Sequence, residues 1–417
     1  MISVAGTGNH FSVSDSLQTI SVGDGPNGIA YDSSNGNLYV ANFESGTMSV
    51  INGSTNQIAA TIKLTTIMGP LEVEVDPINQ LIYVTETYNG TVGIVDGINN
   101  TLIGNVVVGA KEDHPNGIEF NSFNGQLCLV ESVPDSLVAI SNDSNSISAV
   151  SSLGSSILPW GITYNPVNKG LYITNIESNS VSLINGTTNA LETSISVGNS
   201  PNKIAVDTAP GPNYGNLFVT NYAGNSISVI DWMTNQVVRN ITVLGNPKSI
   251  VFDPQNDNLY TTDYGSGTVA EISADNDSVI GYAQAGLEPN GLAYDARNGE
   301  LYVTNFGQAT VTVLPINSTK FVPPSMSTTS TSIFSNSNTT TTFPRKTVTN
   351  FTLASPTTSL TSETTSSTVM NSSSLVSSSL TSSYSQGNSQ LIPVLTIVLA
   401  TLVASTAFIV LKKRSTK

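Results

Sequence analysis

Pro26-Asn27-Gly28-Ile29-Ala30-Tyr31-Asp32, a Ser33-Ser34-Asn35-Gly36 turn, and Asn37-Leu38-Tyr39-Val40-Ala41-Asn42 open a sentence that this chain repeats. Thr47-Met48-Ser49-Val50-Ile51-Asn52, the turn Gly53-Ser54-Thr55-Asn56 and the run from Gln57 to Lys63 complete it. These are four short runs rich in β-branched and aromatic residues, bounded by Gly, Asn, Asp and Ser. Such runs read as antiparallel strands joined by tight turns. The opening proline returns as Pro70, Pro115, Pro159, Pro201, Pro247 and Pro289, at steps of 44, 45, 44, 42, 46 and 42 residues. No 3.6-residue apolar stripe is sustained before residue 390. Four strands per unit of this length define a β-propeller blade, which buries its apolar faces only against its neighbours.

The second strand keeps its register as Ile82-Tyr83-Val84-Thr85-Glu86, Leu127-Cys128-Leu129-Val130-Glu131 and Leu171-Tyr172-Ile173-Thr174-Asn175. It recurs as Leu217-Phe218-Val219-Thr220-Asn221, Leu259-Tyr260-Thr261-Thr262-Asp263 and Leu301-Tyr302-Val303-Thr304-Asn305. These Tyr-Val-Thr-Asn motifs resemble the YVTN-type β-propeller repeats of archaeal and bacterial surface-layer proteins, over roughly residues 17 to 317. The resemblance implies a cell-surface role. It assigns no chemistry, because propellers host many unrelated activities.

The seventh unit supplies three strands before the composition changes. Its missing outer strand is expected from residues 16–22, which precede the first Pro-Asn-Gly at the right spacing. The expectation for 1–317 is therefore an all-β, seven-bladed propeller closed by an N-terminal strand, with no open sheet edge at the seam.

Residues 1–317 hold 28 of the 29 acidic groups and 7 of the 14 basic ones, a net charge near −21. A field of that sign repels phosphate backbones and excludes nucleic acid as a partner. Residues 318–390 read differently: 38 of the 70 residues in 321–390 are Ser or Thr. Such a segment cannot bury enough apolar area to offset its ordering entropy, and reads as a disordered, glycosylated stalk. Leu391 to Leu411 then run 21 residues without a charge, about 31 Å as a helix, which matches a bilayer core. The basic residues in 412–417 mark the cytoplasmic side, so the propeller is expected outside a membrane crossed once. The N-terminus shows neither a basic start nor an apolar run, and the export signal is expected upstream of Met1.

Asn-x-Ser/Thr sequons fall at Asn52, Asn89, Asn99, Asn142, Asn185, Asn240, Asn276 and Asn317, and in the stalk at Asn338, Asn350 and Asn371. Cys128 has no partner and reads as a small buried hydrophobe.

Strand one starts and strand two ends on one face of a propeller, so two rings are expected at the channel mouth. The first is Asn27, Leu71, Asn116, Trp160, Asn202, Lys248 and Asn290. The second is Asn42, Glu86, Glu131, Asn175, Asn221, Asp263 and Asn305. Their Asn residues and Trp160 form the expected ligand-binding set, with Tyr88, Tyr222, Tyr264 and Phe306 as aromatic candidates for sugar stacking. Glu72, Glu74 and Glu119 replace small residues of the first unit and, with Glu86 and Glu131, put five carboxylates near the axis of blades two and three. Oxygen ligands of that kind suit Ca²⁺ or Mg²⁺.

Fold and repeat texture are also similar to streptogramin lyases and gluconolactonase-like hydrolases. Streptogramin lyases place His and Glu at the mouth, whereas this chain has only His10 and His114. The gluconolactonase pattern implies Glu86, Glu131, Asn175 and Asp263 as metal ligands. No catalytic residue is assigned. The expected function is a surface interaction or adhesion module for envelope glycan or protein. The alternatives are an exported metal-dependent hydrolase or lyase, and a purely structural envelope component.

Overall fold

The computed structural model describes residues 17–65, 68–111, 113–316 and 321–322. Among them, 28 strands form seven four-stranded antiparallel sheets, joined by turns and one short 3₁₀ helix at Phe306–Gln308. Blades one to six span 26–63, 70–107, 115–152, 159–196, 201–242 and 247–284. Blade seven combines Pro289–Asp295, Glu300–Asn305 and Thr310–Pro315 with Gln18–Ser21. Gln18 pairs with Val313 and Ser21 with Thr310, so the seam closes as the repeat count required.

Each unit's motif residues have separate structural duties. In blade one Pro26 pairs with Asn42 and Ile29 with Val40, leaving Asn27 and Gly28 opposite Ala41 alone. This bulge recurs in every inner strand. A bulge leaves backbone groups outside the ladder that need other partners.

The motif threonine supplies them. Thr304 Oγ1 accepts from Gly291 N–H at 2.7 Å in its own blade and donates to the Asn27 carbonyl at 2.7 Å in the next. Thr174, Thr220 and Thr262 repeat the relay to Asn202, Lys248 and Asn290 at 2.8 to 2.9 Å. Glycine suits the bulge because the neighbouring blade is so close: a Cβ on Gly291 would stand 2.3 Å from the Asn27 carbonyl oxygen.

The motif tyrosine works at the opposite end of the strand. Tyr302, Tyr39 and Tyr83 donate to Gly53 O (3.2 Å), Gly97 O (3.1 Å) and Asn145 Oδ1 (2.7 Å), each on the following blade. Between them Val40, Val84 and Val303 are fully buried in the inter-blade core. Cys128 takes the tyrosine position in blade three, and burial pushes its thiol up to about 12, with Glu119 reinforcing the shift.

Thr304→Val keeps the shape but strands one buried donor and one buried acceptor across the seam. It is expected to cost about 1–3 kcal/mol, read as a lower urea midpoint with unchanged slope. A midpoint within error of the parent would show the hydroxyl to be dispensable.

After blade seven, Phe321 and Val322 lie on the outer edge of blade six. Val322 exchanges two backbone hydrogen bonds of 2.9 Å with Tyr282, and the Phe321 ring sits 5.6 Å from that of Tyr260. These two residues fall inside the segment expected as stalk. The rest of that stalk, the apolar run 391–411, the tail 412–417 and Asn317, Asn338, Asn350 and Asn371 lie outside the described residues. Among the described residues no helix is long and apolar enough to cross a membrane.

Candidate functional site at the channel mouth

The expected second ring does not face the channel. Asn42, Asn175, Asn221 and Asn305 are buried within their own blades. Each Nδ2 donates to two hydroxyls on strand three: Thr47 and Ser49, Ser180 and Ser182, Ser226 and Ser228, Thr310 and Thr312. The acids of this ring stand where the second hydroxyl is missing. Glu86 has Thr91 but Gly93, Glu131 has Ser136 but Val138, and Asp263 has Thr268 but Ala270. Glu86 accepts from Thr91 and Asn89 at 2.8 and 2.9 Å, and Glu131 from Ser136 at 2.6 Å. Burial holds the Glu131 carboxyl above its usual range and takes that of Asp263 to about 7, although amides of Leu244 and Gly245 oppose the latter shift.

The five-carboxylate cluster therefore divides. Glu86 and Glu131 belong to the blade interiors, and only Glu72, Glu74 and Glu119 border the axial cavity, whose volume is about 150 Å³. The charge expected for a divalent cation is supplied instead by the chain. Lys203 reaches from blade five to Glu72 of blade two, with Nζ to Oε2 at 2.9 Å. Below this ion pair, Glu74 and Glu119 face one another from adjacent blades. Burial raises both, pushing Glu119 to about 8 and Glu74 well above its usual range, where repulsion from Glu119 adds to the effect. Burial and mutual repulsion together disfavour both acids ionising at once. Among the described residues no group of three or more His, Cys, Asp or Glu is placed to hold a metal ion, including the set Glu86, Glu131, Asn175 and Asp263. Beyond Glu74 the channel widens into a second cavity of about 510 Å³ walled by Tyr31, Tyr164, Phe252 and Tyr294.

The residues of the expected first ring are packed between the blades. Asn27, Asn116, Asn202 and Asn290 are buried, and so are Leu71 and Lys248; Trp160 is half-buried. The Asn116 amide donates to Ser132 Oγ and to the Pro159 carbonyl, which ties blade three to blade four. Asn202 and Asn290 also border the axial cavity.

Residues just beyond strand two add an aromatic collar. Phe43 lies 5.7 Å from Tyr88 and 6.5 Å from Phe306, with Leu71, Met68 and Trp160 in the same cluster. His114 stands edge-on to Tyr88 at 5.6 Å. Across the mouth, Tyr222 meets Tyr264 edge-on at 6.2 Å, and Lys248 Nζ lies 4.9 Å from the Tyr264 ring centre. Phe43 and Lys248 were not among the residues expected to bind; the first follows a motif Asn and the second a repeat proline, and both positions are legible in the register.

Comparison with solved structures places this architecture among seven-bladed β-propellers. A streptogramin B lyase superposes with a TM-score of 0.61 at 18% identity, over 72% of this chain and 96% of that one. Virginiamycin B lyase from Staphylococcus aureus gives 0.61 at 17% identity, over 72% and 98%. Kuenenia stuttgartiensis hydrazine synthase gives 0.57 at 16%, over 75% and 99%. At these identities the likeness is one of fold. No protein-family profile matches the chain, and no curated protein does.

Proposed function

We propose that this chain is a membrane-anchored surface protein of the YVTN-repeat kind, whose propeller binds envelope glycan or protein through the aromatic collar. The observation that carries this reading is the pair of half-buried rings, Tyr88 and Trp160, seated on buried Phe43, Leu71 and Phe306 on one side of the mouth. Aromatic faces beside polar groups suit sugar rings and protein side chains alike. The Ser/Thr-rich composition of 318–390 and the uncharged run 391–411 support a tether of the head to a membrane. Sequons support an outside location: Asn99, Asn240 and Asn276 are exposed, and Asn52, Asn142 and Asn185 stand at or beside turns between strands three and four. Asn89 is less suited to carry sugar, because its amide already bonds Thr65 and Glu86 at 2.9 Å.

The test is a glycan array and an envelope pull-down with the full chain and its Trp160→Ala variant. A ligand retained by the parent and weakened about tenfold or more in the variant is expected, as for loss of one stacking anchor. Equal retention by both would remove the collar from the binding surface.

A further inference from the structure

We propose that the outer edge of blade two is a strand-accepting seat, filled by the Phe321–Val322 segment of a second copy of this chain. The edge of blade six shows what such a seat requires. Tyr260, Glu271 and Gly281 stand opposite one another across its second, third and fourth strands. Gly281 leaves the end of that row open: a Cβ there would lie 3.2 Å from Phe321 Cβ and 3.3 Å from Val322 O. Phe321 fills the space, its ring 5.6 Å from that of Tyr260, and Val322 exchanges its two 2.9 Å bonds with Tyr282.

Blade two repeats the row as Tyr83, Ile94 and Gly104. Beyond the chain neighbours of Gly104, no heavy atom of the described residues would lie within 4 Å of a Cβ there. The other blades place Ala60, Ala149, Thr193, Arg239 and Gln18 at this outer position, so glycine ends the row only in blades two and six. Asn105 follows Gly104 as Tyr282 follows Gly281, and pairs with Gly93 as Tyr282 pairs with Ala270. In that register the N–H and carbonyl of Asn105 point off the sheet, where blade two ends. The strand Thr101–Val107 carries neither charge nor proline, the residues that guard an open edge. Ile103 and Val107 on it are 57% and 69% exposed. Buried Ile94 replaces half-buried Glu271, which makes this seat the more apolar of the two.

The occupant must present an aromatic ring and, next to it, a backbone N–H and carbonyl in extended form. Phe321–Val322 meets that description, and on blade six it is already engaged. Its own chain cannot deliver it to blade two. Residues 317–320 tie it to Ile316 by about 18 Å at full extension, and blade two lies two sheet spacings of about 10 Å beyond blade seven, more at the outer edge. A second copy supplies it, giving up one seat for another like it, which is the low-cost exchange of domain swapping.

The probe is a peptide of residues 318–325 with a benzophenone in place of the Phe321 ring, photo-cross-linked to the full-length chain and mapped by peptide mass spectrometry. Adducts are expected within 101–107. Gly104→Val should reduce them about tenfold or more, as for loss of one anchor, because its side chain enters space that the fold leaves open. Asn105→Pro should do the same by deleting the outward N–H, a change that an edge strand tolerates. So should Val322→Pro in the peptide. In a second arm the benzophenone stands at position 321 of the full chain, and copies of light and heavy isotope are mixed. Gly281→Val closes the seat on blade six, since the three atoms nearest a Cβ there all belong to Phe321 and Val322. It should raise adducts between copies at 101–107 several-fold, and adding Gly104→Val should abolish the gain. Peptide adducts that are absent, confined to 278–284 or indifferent to both blade-two variants would overturn the seat; the parent's own map decides if those variants do not fold. Adducts with the peptide but none between copies would overturn the second copy as occupant and leave the strand to another protein.

Discussion

The melting temperature of the full chain is expected to be highest near pH 4 to 5 and to fall as the pH approaches 8. Asp263 titrates near 7 in the folded blade, Asp207 near 6 and Glu119 near 8, in each case chiefly because burial disfavours the anion. Unfolded, all three ionise near 4. Their stabilising contribution is thus fully present below the unfolded values and is lost as pH rises through the folded ones. For Asp263 alone, fully buried, the loss is on the order of 4 kcal/mol at its limit. Lys248 has the opposite sign: its folded value is lowered, so its contribution is complete only above the unfolded value and disappears as pH falls through about 8. A stability minimum near pH 8 follows. Asp263→Asn isolates one component, since Asn occupies the same position in four sister blades. The variant should match the parent near pH 4 and exceed it by about 2–4 kcal/mol at pH 8. Calorimetry across this range checks both; a melting temperature that climbs from pH 5 to 8 would refute the assignment.

Lys203→Met is expected to be the most damaging single change in the channel. It removes the ion-pair partner of Glu72 and the cation whose field lowers the proton affinity of Glu74 and Glu119. Breaking a buried pair typically costs 3–5 kcal/mol, and the partial exposure of this one reduces the expectation to about 2–4 kcal/mol. The loss should be larger at pH 8 than at pH 5, where the acids hold their protons. Combining it with Glu72→Gln should restore most of the stability, because the orphaned charge goes with the lysine. If the double variant is as unstable as the single one, packing of the lysine stem rather than charge is responsible.

Blade count and ring closure were legible because both are matters of period: the prolines set the unit, and Gln18–Ser21 stood one strand early. Side-chain direction was harder. Asn42 was read as a mouth residue because it ends a strand on that face, yet strand alternation turns it into its own blade. The sequence carried a signal for this in the paired hydroxyls at Thr47 and Ser49, Ser180 and Ser182, Ser226 and Ser228, and Thr310 and Thr312. That signal also explains the acids at Glu86, Glu131 and Asp263, where the pair is incomplete. The Glu72–Lys203 contact was hidden for another reason. The two residues are 131 positions apart and meet across the axis, although both stand two places after a repeat proline. Composition alone assigned Phe321 and Val322 to a spacer; local apolar contacts attach them to blade six.

That attachment has a mechanical consequence. Tension entering from the carboxyl side arrives at Val322 before it can act on Thr310–Pro315, the strand that the amino-terminal segment clasps to shut the torus. Under such a load the two bonds to Tyr282 and the seat of Phe321 would be strained before the clasp is. A load of that kind would be spent on a joint outside the seven-sheet ring.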